Sequence, residues 1–175
     1  MQQLTTPRKY SVLLAFSLFS FCSLPTLLAQ TDTRIYDIID AVSPDRIKND
    51  VKTLTEFGTR HTLSDTVSQT RGIGAARRWI KAAFEKTSQE CNGCLDVFYQ
   101  KDLVAKGANN RITKDVEVVN VVAIQRGTKY PNRYILMSGD IDSRISDPTN
   151  ATDDSPGAND NASGMAGTIE AARVL

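Results

Sequence analysis

The spacing of apolar residues along the chain predicts three helices and three strands. Ser43 and Pro44 are typical of a helix start and Gly58 of a helix end, so we expect a helix over about residues 44–57. A longer helix follows, because apolar residues recur on one face while charged residues occupy the others. That apolar face is formed by Ile73, Ala76, Ile80, Ala83 and Phe84.

Three apolar runs predict strands, over residues 94–102, 115–127 and 133–142. The second and third runs are nearly unbroken, which is typical of strands buried on both faces. The turn between them is short, so we expect these two strands to be antiparallel neighbours. An amphipathic helix over residues 161–175 completes the pattern, and the order of elements favours an α/β fold in which helices cover the sheet.

The first thirty residues differ from the rest of the chain. Arg8 and Lys9 precede an uncharged apolar stretch that is broken near Pro25. This pattern predicts a secretory signal peptide; a transmembrane anchor is the alternative, which the interrupting Ser and Pro residues disfavour. We therefore expect residues 1–30 to be cleaved, residues 31–175 to be secreted or periplasmic, and no stable association with a membrane after cleavage.

The charge balance argues against a nucleic-acid-binding protein. The chain has 21 Lys and Arg against 20 Asp and Glu, a formal net charge of +1, and no basic stripe.

Two cysteines, Cys91 and Cys94, lie in the part expected outside the cytosol, where a disulfide is favoured. A redox Cys-x-x-Cys is the alternative, and a zinc knuckle would need a second Cys or His pair that the sequence lacks.

Three acids lie where α/β proteins commonly bind ligands. Asp140 and Asp142 end the third predicted strand, and Asp160 begins the last helix among small residues. The carboxyl edge of a sheet is the usual binding edge, and clustered carboxylates repel one another unless a cation joins them. The sequence therefore points to a metal site, and turn formation or helix capping by these acids is the alternative explanation.

Other polar residues receive plainer interpretations. His61, the single histidine, is expected to have a structural or surface role. Arg60 and Arg144 are expected on the surface, and pairing with carboxylates near the site is the alternative. The acids within residues 147–154 predict a solvated loop; a calcium site is the alternative, although the spacing matches no EF-hand.

The motifs near the end of the chain resemble those of the secreted zinc aminopeptidases of metallopeptidase family 28. That family has an apolar strand, then His-x-Asp-Ser, a variable loop, then Pro-Gly-Ala-x-Asp-x-x-Ser-Gly and a helix with Glu-x-Ala-Arg. This chain has DSR at 142–144, PGANDNASG at 156–164 and EAAR at 170–173. The resemblance extends over about residues 45–175.

The resemblance implies a zinc-aminopeptidase-like three-layer fold, with a mostly parallel mixed sheet flanked by helices. It implies a metal-dependent aminopeptidase that hydrolyses N-terminal peptide bonds with a water activated by two zinc ions. Asp160 would bridge the ions, and Asp142 would orient the first ligand and be followed by a cis peptide bond. The family's first His ligand falls at Asp140, an acid that suits zinc or Mn²⁺.

The resemblance also implies that residues 31–175 are the N-terminal part of a catalytic domain that is incomplete at its C-terminus. The family's Glu pair, which supplies the general base, and its later ligands would follow Leu175. The chain alone is then expected to be inactive on peptide or protein substrates. A non-catalytic secreted member of the same fold and a calcium-stabilised binding module are the alternatives.

Overall fold

The structure is a computed structural model that describes residues 32–175. The elements in chain order are α1 (Thr33–Ala41), α2 (Pro44–Glu56), α3 (Gly72–Glu90), β1 (Leu95–Val104), β2 (Val116–Gln125) and α4 (Ser163–Val174). An irregular turn, Ala158–Ala162, leads into α4. The predicted signal peptide lies outside the described residues. In the part of the chain described, no helix is both long and apolar enough to cross a membrane.

The three predicted helices are confirmed, with shifts at their ends. α2 begins as its capping residues predict, because Ser43 Oγ accepts a hydrogen bond from Arg46 N at 3.3 Å. α3 begins only at Gly72, since the residues before it form a loop held by side-chain bonds to the backbone. The sequence pattern did not predict α1. None of its residues is buried, so its apolar side chains do not contribute to the core.

The sheet in the described residues has two antiparallel strands. β1 pairs with β2 in a register that runs from Leu95 opposite Gln125 to Val104 opposite Val116. The predicted mostly parallel mixed sheet is therefore not found in residues 32–175. The first and second predicted strands are therefore neighbours. The second strand does not pair with the third, so that expectation is wrong.

The third predicted strand, residues 133–142, is not formed. The side chains of Tyr134, Ile135 and Leu136 are 85%, 96% and 90% exposed. An unbroken apolar run predicts a strand only where other elements cover both of its faces. Within residues 32–175 this run pairs with no strand and no element covers it, so the condition for a buried strand is not met.

The core lies between three helices and one face of the sheet. Leu54 of α2 and Ile80 of α3 are fully buried, and Met165 of α4 is 4% exposed. Val97 and Val121 pack against this cluster from the sheet. Burying one such side chain contributes about 1.5–3 kcal/mol, so this cluster holds α4, and the turn before it, against the rest of the fold.

Glu170 joins α4 to the beginning of α2. Its side chain is 4% exposed and accepts a hydrogen bond from Ser43 N at 2.7 Å. Arg173 donates to it at 2.6 and 2.9 Å, and Arg46 lies 3.5 Å away. The hydrogen bonds from Arg173 hold the pKa of Glu170 below its ordinary value. The acid and the arginine of the EAAR motif thus have a structural role in this chain.

Candidate metal site

The segment that carries Asp140 and Asp142 lies against the beginning of α4. A Cβ added to Gly139 would fall 2.6 Å from the carbonyl carbon of Gly164 and the amide nitrogen of Met165. Such an approach between two backbones is possible only without a side chain. The backbone of Gly139, the residue before Asp140, therefore contacts α4, and Asp160 lies just before the same helix.

The turn before α4 closes on the same segment. Gly157 has a left-handed φ of +48°, and a Cβ there would lie 2.6 Å from Asp160 O and 2.7 Å from Ser143 Cβ. Ala162 N donates to Gly157 O at 3.0 Å and holds the turn closed. The structure therefore brings the backbone of Asp160 beside the residue that follows Asp142.

The three predicted site carboxylates are all exposed, but they differ in their partners. Asp142 Oδ2 accepts a hydrogen bond from Thr62 Oγ1 at 3.2 Å. Within residues 32–175, the side chains of Asp140 and Asp160 have neither a hydrogen bond nor an ion pair. Asp140 and Asp142 line one cavity of about 860 Å³, together with Thr62. Two of the acids are thus available to a cation, and the third is already oriented.

Helix capping does not account for Asp160. The N-terminal turn of α4 is capped by the next residue, since Asn161 Oδ1 accepts from Gly164 N at 2.9 Å. The Asp160–Asn161 peptide bond is cis. The bond after Asp142 is not, so the expectation of a cis bond there is wrong.

A buried cluster of hydroxyl groups links the two acid-bearing segments. Ser143 Oγ donates to Ser155 O at 2.5 Å, and Thr59 Oγ1 lies 3.0 Å from Ser155 Oγ. Ser155 N donates to Gly58 O at 2.8 Å, beside a parallel bridge between Thr59 and Ser155. The three hydroxyl residues are at most 4% exposed, so these bonds are shielded from water and hold the segments in one arrangement.

The expectation that Arg60 lies on the surface is wrong, because the residue is 1% exposed. Burial lowers the pKa of its guanidinium, and the nearby charge of Asp142 acts in the opposite direction. Sequence reasoning missed Arg60 and its partner Ser143. No local pattern distinguishes a buried arginine that bonds to carbonyl groups from an exposed one.

His61 has the structural role that the sequence predicts. It is 5% exposed, and its Nδ1 accepts a hydrogen bond from Leu63 N at 3.1 Å. Nε2 therefore carries the proton in the neutral ring and donates to Pro148 O at 3.0 Å. Both ring nitrogens are engaged, so His61 is not a free metal ligand.

The acids of the 147–154 loop form hydrogen bonds within the loop or an ion pair with Arg71, the residue before α3. Asp147 Oδ1 accepts from Thr149 N at 2.8 Å, and Asp154 pairs with Arg71 at 2.6 Å. These bonds shape and anchor the loop, and they give no support to a calcium site. Beyond the end of α3, Cys91 and Cys94 form the predicted disulfide.

Asp140 and Asp160 fit a divalent cation by donor type but not by number. Carboxylate oxygens bind zinc and manganese, and both side chains are free to do so. Among residues 32–175, however, no group of three or more His, Cys, Asp or Glu side chains is placed to hold a metal ion. A catalytic zinc commonly has three protein ligands. The described residues therefore supply part of a metal site.

The chain is similar to known peptidases. Residues 120–175 match peptidase family M28. Proteins named "Probable zinc metalloprotease" from Pyrenophora tritici-repentis, Pyrenophora teres f. teres and Pyricularia oryzae are 40%, 43% and 41% identical over 144 residues. These matches cover 82% of the chain but 33%, 29% and 28% of the relatives, so the chain spans about a third of their length. No solved structure matches the chain.

Proposed function

We propose that the chain forms part of a two-zinc aminopeptidase, and the match of residues 120–175 to peptidase family M28 supports this proposal. The observation that carries the proposal is the contact between Gly157, Ser143 and Asp160. It brings the backbone of Asp160, whose carboxylate is unpaired within the described residues, beside the segment of the other two acids. A turn that only capped a helix would not need this contact.

The three acids have different roles in the proposed site. Asp160, in the turn before α4, would be shared by the ions, and Asp140 would hold one of them in place of the family's histidine. Asp142, held by Thr62, would orient the groups around the ions. Zinc at this site would supply Lewis-acid polarisation of a carbonyl group and activation of a water molecule. An additional carboxylate makes the site more anionic, which extends the proposal to Mn²⁺.

The remaining ligands and the general base are proposed to lie in the part of the family's proteins that this chain does not span. The three-layer fold with a larger, mostly parallel sheet belongs to the same proposal. The substrate is the amino terminus of a peptide or protein. The 175-residue chain alone is expected to show no peptidase activity.

We also propose that the protein acts outside the cytosol. The basic and apolar leader supports export, and so does the disulfide between Cys91 and Cys94, because structural disulfides are rare in reducing compartments.

A non-catalytic member of the same fold is the second candidate. Asp140 favours it, because this acid replaces a histidine of the family motif and has no imidazole N–H to offer Asp142. Such a protein would keep the fold and bind peptides without cleaving them.

Metal titration tests the proposed site. We expect the chain to bind Zn²⁺, and we expect Asp160→Asn to weaken binding at least about tenfold because it removes the bridging charge. Asp140→His should bind Zn²⁺ at least as tightly as the parent chain. Isothermal titration calorimetry with Zn²⁺ and Mn²⁺ provides the dissociation constants.

Asp153→Asn is the matched control, since Asp153 is also an exposed acid but bonds to Asn150 within its own loop. Its dissociation constant should stay within about twofold of the parent value. Equal zinc binding by the Asp160→Asn variant and the parent chain would refute the bridging role. A large loss in Asp140→His would show that Asp140 has another purpose.

A further inference from the structure

Arg60 is a buried cation whose side-chain hydrogen bonds all go to main-chain carbonyl groups. Its Nη1 donates to Leu54 O and to Pro156 O, each at 2.7 Å. Its Nε donates to Ile141 O at 2.9 Å, and its Nη2 donates to Gly157 O at 3.1 Å. One side chain thus joins the end of α2 to the residue before Asp142 and to the turn that leads to Asp160.

The backbone of Arg60 is bound to the same region. Arg60 N donates to Ser143 Oγ at 3.0 Å, and Ser143 N donates to Arg60 O at 3.3 Å. Ser143 Oγ in turn bonds to Ser155 O. The segment of Asp142 is therefore connected to Arg60 through both its side chain and its backbone, whereas the segment leading to Asp160 is connected through the side chain of Arg60 and, indirectly, through Ser143.

A guanidinium group suits this position and other side chains do not. Its donors point in fixed directions within one plane, so it can reach three backbone segments at the same time. A lysine ammonium keeps the positive charge, but it cannot donate to three backbone segments at the same time. Burying a cation without an ion-paired carboxylate costs several kcal/mol, and the four charge-assisted bonds to carbonyl groups offset this cost.

Arg60 also lies close to the turn that carries Asp160. A Cβ on Gly157 would be 3.1 Å from Arg60 Nη2 and 2.6 Å from Asp160 O, so the guanidinium approaches the turn at the residue that Asp160 contacts. We propose that Arg60 is a positioning residue that fixes Asp142 and Asp160 relative to each other. This inference rests on the proposed metal site.

Zinc affinity separates positioning from a purely structural role. In Arg60→Lys we expect the dissociation constant for Zn²⁺ to rise at least about tenfold, as for other residues that orient metal ligands. Arg78→Lys is the matched control, because Arg78 also donates to two carbonyl groups, those of Thr66 and Ser68, but in a loop away from the acids. Its dissociation constant should stay within about twofold of the parent value.

The affinities are measured by competition with a chromophoric chelator, at a temperature where Trp79 fluorescence shows each variant to be folded. Unchanged zinc affinity in folded Arg60→Lys overturns the proposal, since a merely structural arginine would lower stability alone. If Arg60→Lys does not fold, Ser143→Ala takes its place, because it removes the bond to Arg60 N without leaving a buried charge unpaired. The same tenfold criterion then applies.

Amide hydrogen exchange of the metal-free chain distinguishes this proposal from the proposed function. We expect faster exchange at Ser143 N and Ala162 N in Arg60→Lys, with exchange in α3 unchanged, because those two amides close the linked segments. If the parent chain, which supplies only part of the proposed site, binds no zinc, amide exchange alone decides the role of Arg60. Unchanged exchange at both amides then overturns the positioning role.

Discussion

Replacing Glu170 by glutamine tests how strongly one buried carboxylate holds α4 to α2. The substitution keeps one oxygen, which can still accept from Ser43 N. It turns the other oxygen into an amide donor that faces the donors of Arg173, so at least one charge-assisted bond is lost and the ion pair disappears.

The expected loss of stability follows from these contacts. A hydrogen bond to a charged group contributes about 1.5–3 kcal/mol, and breaking a fully buried ion pair costs about 3–5 kcal/mol. Arg173 is 23% exposed and Arg46 is 50% exposed, so water compensates part of the loss. We therefore expect Glu170→Gln to lower the free energy of unfolding by about 2–3 kcal/mol.

Urea unfolding followed by Trp79 fluorescence measures this change, since Trp79 is the single tryptophan and packs beside Phe57. Glu56→Gln is the control, because Glu56 also pairs with a cation, Lys52 at 3.8 Å, but is 62% exposed. The control should change the free energy of unfolding by less than about 0.5 kcal/mol. Equal effects of the two substitutions would refute the reasoning.

The pH dependence gives a second readout. The pKa of Glu170 is lower in the folded than in the unfolded chain, mainly because Arg173 donates hydrogen bonds to the carboxylate. Its contribution is therefore complete above the unfolded pKa, about 4.3, and is lost as the pH falls through the lower folded pKa. The difference between the parent chain and Glu170→Gln should shrink below about pH 4.

Three further variants test the packing and the disulfide by the same urea assay. Gly139→Ala should destabilise by about 1–3 kcal/mol, because its Cβ would meet the backbone of α4, whereas Gly167→Ala has open space within 4 Å and should stabilise by about 0.5–1 kcal/mol. If Gly167→Ala lowered the free energy of unfolding more than Gly139→Ala, the close approach of the Gly139 backbone to α4 would be contradicted. Replacing Cys91 and Cys94 by serine should cost about 2 kcal/mol, the loop entropy of a four-residue ring, with zinc affinity unchanged. A change in zinc affinity would show that the disulfide also shapes the metal site.

The elements that sequence predicts well are those whose signals are local. The start of α2 depends on Ser43 and Pro44, and β1 and β2 depend on their own apolar patterns. The run from Tyr134 to Met137 shows the limit of this reasoning. An apolar run forms a buried strand only if other elements cover it, and the run itself does not reveal whether they do. The expected pairing of strands failed for the same reason, since it depended on that run being a strand.

The candidate site was predictable only in part. The positions of Asp140 and Asp160 follow from motif and sequence order, and the structure brings their segments together. The bonds that do so connect Arg60 to residues 81 to 97 positions away. Contacts at such separations leave no trace in a local pattern, so the polar network beneath the acids became visible only in the fold.

The bare run from Tyr134 to Met137 has a consequence for handling the isolated chain. Four consecutive uncharged side chains outside the helices and strands present an apolar surface, together with backbone amide and carbonyl groups that bond to no other part of the described chain. Such a stretch can add to the same stretch of another molecule and start intermolecular β-aggregation. We expect concentrated preparations to precipitate on storage, and a lysine at Ile135 to delay turbidity by acting as a gatekeeper charge.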